Sequence, residues 1–160
     1  MTVEVEDRIV EFARSHVESQ QILVTWFGGE PLLRMKTIRS LTAKLISLGK
    51  PYRAGIITNG YLLTEDVAHS LKELRIDTIQ ITLDGRREIH DARRYLADGS
   101  RTFDTIVTNI KRCQVLAPNV KICIRINVDE SNKDDFIELR NHICSMNLPN
   151  IDIYPGFHST

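Results

Sequence analysis

The sequence lacks an excess of charge of either sign, and it lacks long apolar runs. Lysine and arginine together number 21, as do aspartate and glutamate, so the formal net charge at pH 7 is zero. Without a general positive potential, no nucleic-acid partner is expected. No apolar run approaches the roughly 20 residues that span a bilayer, and residues 1–7 are acidic where a secretory signal would be basic. We therefore predict a cytoplasmic protein with no membrane partner.

Cysteine is scarce and widely spaced. Cys113, Cys123 and Cys144 are an odd number, which is not typical of a disulfide framework. Nine residues separate the first two and twenty separate the last two, so no pair has the close spacing of a metal or cluster loop. We predict free thiols and no metal site in this chain.

Apolar periodicity divides the chain into alternating helices and strands. The predicted helices are 7–19, 35–48, 64–74, 103–116 and 132–146, and the predicted strands are 21–27, 53–58, 77–83, 120–128 and 150–154. A long polar loop is predicted over 84–101. Short connections between alternating elements indicate right-handed βαβ units in one parallel sheet. The predicted fold class is α/β, with about five parallel strands and flanking helices in the order α-β-α-β-α-β-α-β-α-β.

Five strands are too few to close a barrel. A complete (β/α)₈ barrel needs roughly 250 residues, whereas 160 residues with 42% hydrophobic content suit a single domain. We predict an incomplete (β/α) partial TIM barrel over residues 1–160. The chain begins with a helix and ends on a strand, which we interpret as a fragment whose first strand is absent. The edge exposed in that way predicts an edge-mediated dimer.

Two of the predicted strands have one polar face. In 77–84 and 120–128 the polar side chains alternate with isoleucine, leucine and valine; they are Thr78, Gln80, Thr82 and Asp84, then Lys121, Cys123, Arg125 and Asn127. A strand covered on both faces would be apolar throughout, so the polar faces are expected to line the concave side of the sheet. Arg125 needs a partner there. Asp84 or Asp152 is the expected one, and this ion pair is also the structural alternative to a ligand-binding role.

The turn Gly28-Gly29-Glu30-Pro31 follows the first predicted strand. Paired glycines at a strand end allow positive φ and let a ligand approach the backbone, and Pro31 suits the first turn of a helix. Glu30 would repel the phosphate that glycine-rich turns attract, so a cationic amine is the better ligand. The alternative is a tight turn whose glycines serve packing only.

Four segments, in this order, resemble the radical S-adenosylmethionine (radical SAM) superfamily. They are Gly28-Gly29-Glu30-Pro31, Thr58-Asn59-Gly60, Thr82-Leu83-Asp84-Gly85 followed by His90-Asp91 and Arg94, and Arg125-Ile126-Asn127-Val128. They are most similar to the subgroup of anaerobic sulfatase-maturating and peptide-modifying enzymes with a cluster-bearing C-terminal extension (SPASM type). The family's CxxxCxxC loop, which supplies three thiolates to a four-iron four-sulfur cluster, has no counterpart in this sequence.

The resemblance implies a set of residues that bind S-adenosylmethionine. Gly28, Gly29 and Glu30 would hold its ammonium, Thr82 and Arg94 its carboxylate, and Asn127 its ribose, with Asn59 and Arg125 at the same site. Some of these have structural alternatives: Asn59 as a turn residue, Asn127 as a strand cap and Arg94 as a solvated loop charge. The pair His90-Asp91 is expected to order the long loop rather than to transfer protons.

The resemblance also implies an activity for the parent protein. An iron–sulfur cluster would cleave S-adenosylmethionine reductively, and hydrogen would be abstracted from a peptide or small-molecule substrate. The cluster is not expected in this chain, which alone is predicted to be inactive. Two other interpretations remain: a non-catalytic α/β module that binds through its concave polar face, and a phosphate-handling βα-barrel enzyme, which Glu30 opposes.

Overall fold

The protein is an open α/β sheet flanked by helices, seen in a computed structural model. The structure describes residues 1–130, 132–133 and 135–157. The helices are α1 (Val3–Ser15), α2 (Met35–Ile46), α3 (Glu65–Ser70), α4 (Arg87–Arg93), α5 (Phe103–Leu116) and α6 (Asp135–Ser145), with a short 3₁₀ helix at Pro31–Arg34 before α2. The strands are β1 (Ile22–Trp26), β2 (Tyr52–Thr58), β3 (Ile76–Leu83), β4 (Lys121–Val128) and β5 (Ile151–Phe157).

The five strands form one parallel sheet in chain order, β1-β2-β3-β4-β5. Each strand pairs with the next one along the chain, as expected for successive right-handed βαβ units. The predicted fold class, the number of strands and the alternation of strands with helices are confirmed, with one additional helix, α4, before α5. Because all strands run the same way, their carboxyl ends and the loops that follow them lie at one edge of the sheet.

Most element bounds differ from the sequence-based expectation by a few residues, and two differences have a visible structural cause. Helix α1 begins at Val3 rather than at Asp7, because the Thr2 side chain caps it by accepting the Val5 N–H at 3.4 Å. The predicted loop 84–101 contains helix α4. That loop is organised around His90, which is completely buried, and polar spacing alone does not reveal such a contact.

The core lies between the sheet and the helices. The inward side chains of the two central strands are almost fully buried: Ile79, Ile81 and Leu83 on β3, and Ile122, Ile124 and Ile126 on β4. Their polar neighbours Thr78, Gln80, Thr82, Cys123, Arg125 and Asn127 are only partly buried. The prediction that these strands turn one polar face to the concave side is therefore confirmed.

In the residues that the structure describes, no helix combines the length and the apolar character needed to cross a membrane.

Candidate functional site

The turn after β1 is open rather than packed. Gly28 has a φ of +148°, in the region that side chains rarely adopt. A Cβ added at Gly28 or at Gly29 would meet no atom within 4 Å. Close packing therefore does not account for either glycine, and the turn leaves room for a ligand beside the backbone.

The Glu30 carboxylate joins the first two loops. Oε1 accepts the Leu32 N–H at 3.0 Å, which caps the 3₁₀ helix, and the Thr58 hydroxyl at 2.7 Å. Oε2 accepts the Asn59 N–H at 2.9 Å. A carboxylate offers about four acceptor positions. Donors among the described residues use three of them, which leaves one for an outside donor such as an ammonium.

A cleft of about 140 Å³ opens at the carboxyl ends of the first three strands. Eight residues line it: Phe27, Gly28, Gly29, Ile57, Thr58, Asn59, Thr82 and Arg94. Five of these are predicted site residues, contributed by three separate loops and by β3. Ligands of open α/β sheets bind at this edge, so the position and the lining agree with a ligand-binding cleft.

Arg94 reaches the cleft from the loop that follows α4. Its Nε donates to Asp84 Oδ2 at 2.5 Å and its Nη2 donates to Asp84 Oδ1 at 3.4 Å, a two-point contact. The Arg94 side chain is 40% exposed whereas that of Asp84 is 8% exposed. The inner carboxylate thus positions the guanidinium of Arg94, a residue that lines the cleft.

All four polar atoms of Asp84 have partners. Its carboxylate also accepts the Asn127 side-chain amide at 2.9 Å, its N–H donates to His90 Nδ1 at 3.3 Å, and its carbonyl accepts from Asn132 Nδ2 at 2.5 Å. Asn132 also donates to the Asn127 carbonyl at 2.7 Å. Sequence reasoning missed Asn132; its only signal was an amide residue soon after the end of a strand.

The His90-Asp91 pair orders the loop, as predicted. His90 Nδ1 accepts a backbone N–H, so the ring proton lies on Nε2 and is donated to Thr102 Oγ1 at 3.1 Å; that hydroxyl in turn donates to the Arg94 carbonyl at 2.7 Å. Burial lowers the pKa of His90, which keeps the ring neutral. Asp91 Oδ1 accepts the N–H groups of Thr102 and Phe103 at 3.0 and 2.9 Å, which caps α5.

Asn59 and Asn127 both carry structural contacts. Asn59 Oδ1 accepts the Tyr61 N–H at 2.9 Å, a local side-chain turn. This residue therefore serves the turn and also lines the cleft. Asn127 uses its amide nitrogen on Asp84, and it does not line the cleft.

Arg125 does not form the expected ion pair. Asp84 is taken by Arg94 and Asn127, and Asp152 pairs with Lys121 at 2.6 Å. Within residues 1–130, 132–133 and 135–157, Arg125 makes no ion pair, and its Nε is buried without a hydrogen-bond partner. The expectation was wrong because the order and faces of the strands do not show that other cations, Arg94 and Lys121, lie close enough to pair with these two carboxylates.

The three cysteines lie on three different elements. Cys113 is buried in α5, Cys123 is half-buried on β4, and Cys144 is exposed on α6. The described part of the chain contains no group of three histidine, cysteine or acidic side chains that could hold a metal ion. These residues therefore do not fit an iron–sulfur cluster.

A second cleft, of about 560 Å³, lies elsewhere. Arg75, Ile76 and Asn119 line it, at the amino-terminal ends of β3 and β4. None of the predicted site residues takes part. Its position opposite the loops that carry the motifs separates it from the candidate site.

Comparison with known proteins gives the assignment. The family model described as the radical SAM superfamily matches residues 1–143. The chain belongs to the radical SAM superfamily.

Relatives of this radical SAM chain have several activities. It is 29% identical over 132 residues to the Fe-coproporphyrin III synthase of Methanosarcina barkeri, covering 82% of this chain and 31% of that protein. It is 32% identical over 114 residues to the serine-type anaerobic sulfatase-maturating enzyme of Bacteroides thetaiotaomicron, covering 66% and 27%. It is 31% identical over 139 residues to the probable GTP 3',8-cyclase of Archaeoglobus fulgidus, covering 84% and 44%. The chain thus spans between 27% and 44% of the length of these relatives.

Solved structures confirm the partial-barrel fold. The native anSMEcpe structure with bound AdoMet and the Kp18Cys peptide superimposes with a TM-score of 0.83 at 19% identity, covering 97% of this chain and 43% of that one. The crystal structure of Streptococcus suis SuiB superimposes with a TM-score of 0.65 at 16% identity, covering 98% and 33%. The radical SAM chain therefore has the architecture of one part of larger proteins.

Proposed function

We propose that this chain is the part of a radical SAM enzyme that binds S-adenosylmethionine. The observation that carries the proposal is the cleft at the ends of β1, β2 and β3, which brings Gly28, Gly29, Asn59, Thr82 and Arg94 together. Three of the four motif segments contribute to it, although 65 residues lie between Gly28 and Arg94 in the sequence. The structures of anSMEcpe that resemble this fold contain AdoMet, which supports the same ligand here.

The chemical groups of the cleft match those of the cofactor. The backbone carbonyls of Gly28 and Gly29 suit the ammonium, together with the Glu30 carboxylate, which does not line the cleft but hydrogen-bonds to Thr58 and Asn59 of its wall. Thr82 and the N–H groups of Arg94 that Asp84 leaves free suit the carboxylate. Asn59 and Asn127 complete the proposed cofactor residues, with Asn127 acting from the neighbouring strand. Arg125, on the same strand as Asn127, does not line the cleft and is not proposed to contact the cofactor.

The parent protein is proposed to be an enzyme that cleaves S-adenosylmethionine reductively and abstracts hydrogen from a peptidyl or small-molecule substrate. A reduced four-iron four-sulfur cluster supplies the electron in this family, and its ligands would lie in the part of the parent that this chain does not include. The residues of this chain bind and orient the cofactor and exclude water from it. We propose that the chain by itself is inactive.

Calorimetric titration with S-adenosylmethionine tests the assignment. We expect saturable binding that Arg94→Ala weakens by about tenfold or more, since a charge-assisted two-point contact to a carboxylate is lost. Arg39→Ala is the matched control, because Arg39 forms an exposed ion pair with Glu73 on other elements and should leave binding unchanged. Equal affinities in all three proteins, or displacement of the ligand by inorganic phosphate, would contradict the proposal.

Anaerobic reconstitution with iron and sulfide tests the inactivity of the chain. We expect no 5′-deoxyadenosine from the 160-residue chain with dithionite as reductant. The full-length parent, treated identically, should produce it. Formation of 5′-deoxyadenosine by the chain alone would show that the cluster ligands are present after all.

A further inference from the structure

Arg125 is a cation without a counter-charge on the concave face. It lies in register between Thr82 on β3 and Tyr154 on β5. The Tyr154 hydroxyl hydrogen-bonds to Gln80 Oε1 at 2.7 Å rather than to Arg125. In the part of the chain that the structure describes, no carboxylate and no hydrogen-bond acceptor contacts the Arg125 guanidinium, and its Nε is buried. A partly buried, unpaired guanidinium is unfavourable unless an anion joins it.

The guanidinium is held in place by a glycine. A Cβ added at Gly156 on β5 would lie 2.2 Å from Arg125 Nε, 2.8 Å from Nη2 and 2.9 Å from Cζ. The guanidinium therefore occupies the space beside Gly156 that the Cβ of any other residue would fill. Packing, rather than an ion pair, fixes its direction.

The Arg125 side chain extends toward Gly156 on β5, away from the proposed cofactor cleft. That cleft lies over β1, β2 and β3, and Arg125 is not among its lining residues. The neighbours of β4 are β3 and β5, and the guanidinium lies against β5. The proposed cofactor carboxylate already has a guanidinium, that of Arg94.

We propose that Arg125, seated on Gly156, binds a carboxylate group of the substrate. The planar fork of arginine matches a carboxylate with two parallel hydrogen bonds, and the position lies on the concave face one strand beyond the cofactor. The inference rests on the proposed function, since it assigns this anion to the substrate rather than to S-adenosylmethionine. It restricts the substrate to molecules with an acidic group near the reacting position.

Titration with acetate, followed through the Arg125 Nε–H resonance in ¹H–¹⁵N spectra, tests the inference. We expect a saturable shift in the wild type that persists when S-adenosylmethionine is saturating. Gly156→Ala should weaken acetate binding by about tenfold, because the new methyl group displaces the guanidinium without removing its charge. Gly55→Ala on β2 is the control, since its Cβ would meet only the Thr78 backbone oxygen and Cβ at 3.5 and 3.9 Å, and acetate affinity should be unchanged.

Two further variants keep the test decisive. Arg125→Met should abolish the saturable effect of acetate on neighbouring backbone amides, and Arg125→Lys should retain part of it, because charge remains but the fork is lost. Backbone spectra report whether each variant is folded. The absence of saturable binding in the wild type would overturn the inference.

Titration with acetate in the presence of S-adenosylmethionine distinguishes this inference from the proposed function. If S-adenosylmethionine displaces acetate, Arg125 serves the cofactor and the inference fails while the proposed function stands. If acetate binds as described and S-adenosylmethionine does not bind at all, the anion site stands and the cofactor assignment fails.

Discussion

Replacement of Glu30 by glutamine should destabilise the protein although it changes only one atom. The two carboxylate oxygens accept three hydrogen bonds, from Leu32 N–H, the Thr58 hydroxyl and Asn59 N–H. A glutamine side chain keeps one oxygen and presents an NH₂ group in place of the other. If its oxygen faces Leu32 and Thr58, the NH₂ group points at the Asn59 N–H, so donor meets donor.

The magnitude follows from the number of bonds affected. A partly buried donor without its acceptor is unfavourable by about 1–3 kcal/mol, and hydrogen bonds to a charged group are the stronger class. One lost bond and two weakened ones give an expected loss of about 2–4 kcal/mol in the free energy of unfolding. For a chain of this size that corresponds to roughly 2–4 °C in Tm for each kcal/mol.

Urea unfolding followed by circular dichroism measures this effect. Glu73→Gln is the matched control, because the Glu73 side chain is 76% exposed in its ion pair with Arg39 and should change stability by less than about 1 kcal/mol. A double-mutant cycle of Glu30→Gln with Thr58→Val should show a coupling energy of at least about 0.5 kcal/mol. If Glu30→Gln unfolds at the same urea concentration as the wild type, or the coupling is zero, the carboxylate does not join the β1 and β2 loops.

Three further predictions concern the loop after β3 and the thiols. The pKa of His90 is lower in the folded state than in the unfolded chain, so the unfolded chain binds more protons below pH 6.5. The free energy of unfolding should therefore fall as pH decreases through that value, by at most about 1.4 kcal/mol per pH unit. In unfolding titrations His90→Gln should remove this pH dependence, whereas the control His69→Gln, at an exposed histidine, should not. Asp91→Ala removes the acceptor that caps α5 and should lower the unfolding free energy by about 0.5–2 kcal/mol in urea; an unchanged midpoint would contradict the capping role. Burial raises the pKa of Cys113 to about 11, so Ellman's reagent should modify exposed Cys144 first and Cys113 only on unfolding; equal rates in the native protein would refute the burial of Cys113.

The fold was accessible from the sequence because two periodicities alternate along it. Isoleucine at every second position of β3 and β4 predicted strands with one apolar face, and the helical stripe of α5 gave its bounds without error. The same alternation placed Thr82 and Arg125 on the concave face. These features depend on local geometry, which the sequence expresses directly.

The partners of the site residues were not accessible in the same way. Whether Asp84 pairs with Arg125 or with Arg94 depends on how a loop folds back over the strand ends, and polar spacing in 84–101 did not indicate that Arg94 would reach it first. The burial of His90 has the same origin. Gly156 had no sequence signal at all, because its role is to leave space for a side chain on the adjacent strand.

The four-way bonding of Asp84 has a consequence for local opening of the structure. Its atoms are bonded to segments that follow β3, that end β4 and that precede α6, so movement of Asp84 itself breaks hydrogen bonds to all of these segments at once. Their amide protons should therefore exchange with deuterated solvent in a single cooperative event with one shared free energy. On this reasoning the carboxyl-terminal ends of β3 and β4 are expected to open together rather than as a set of independent loops.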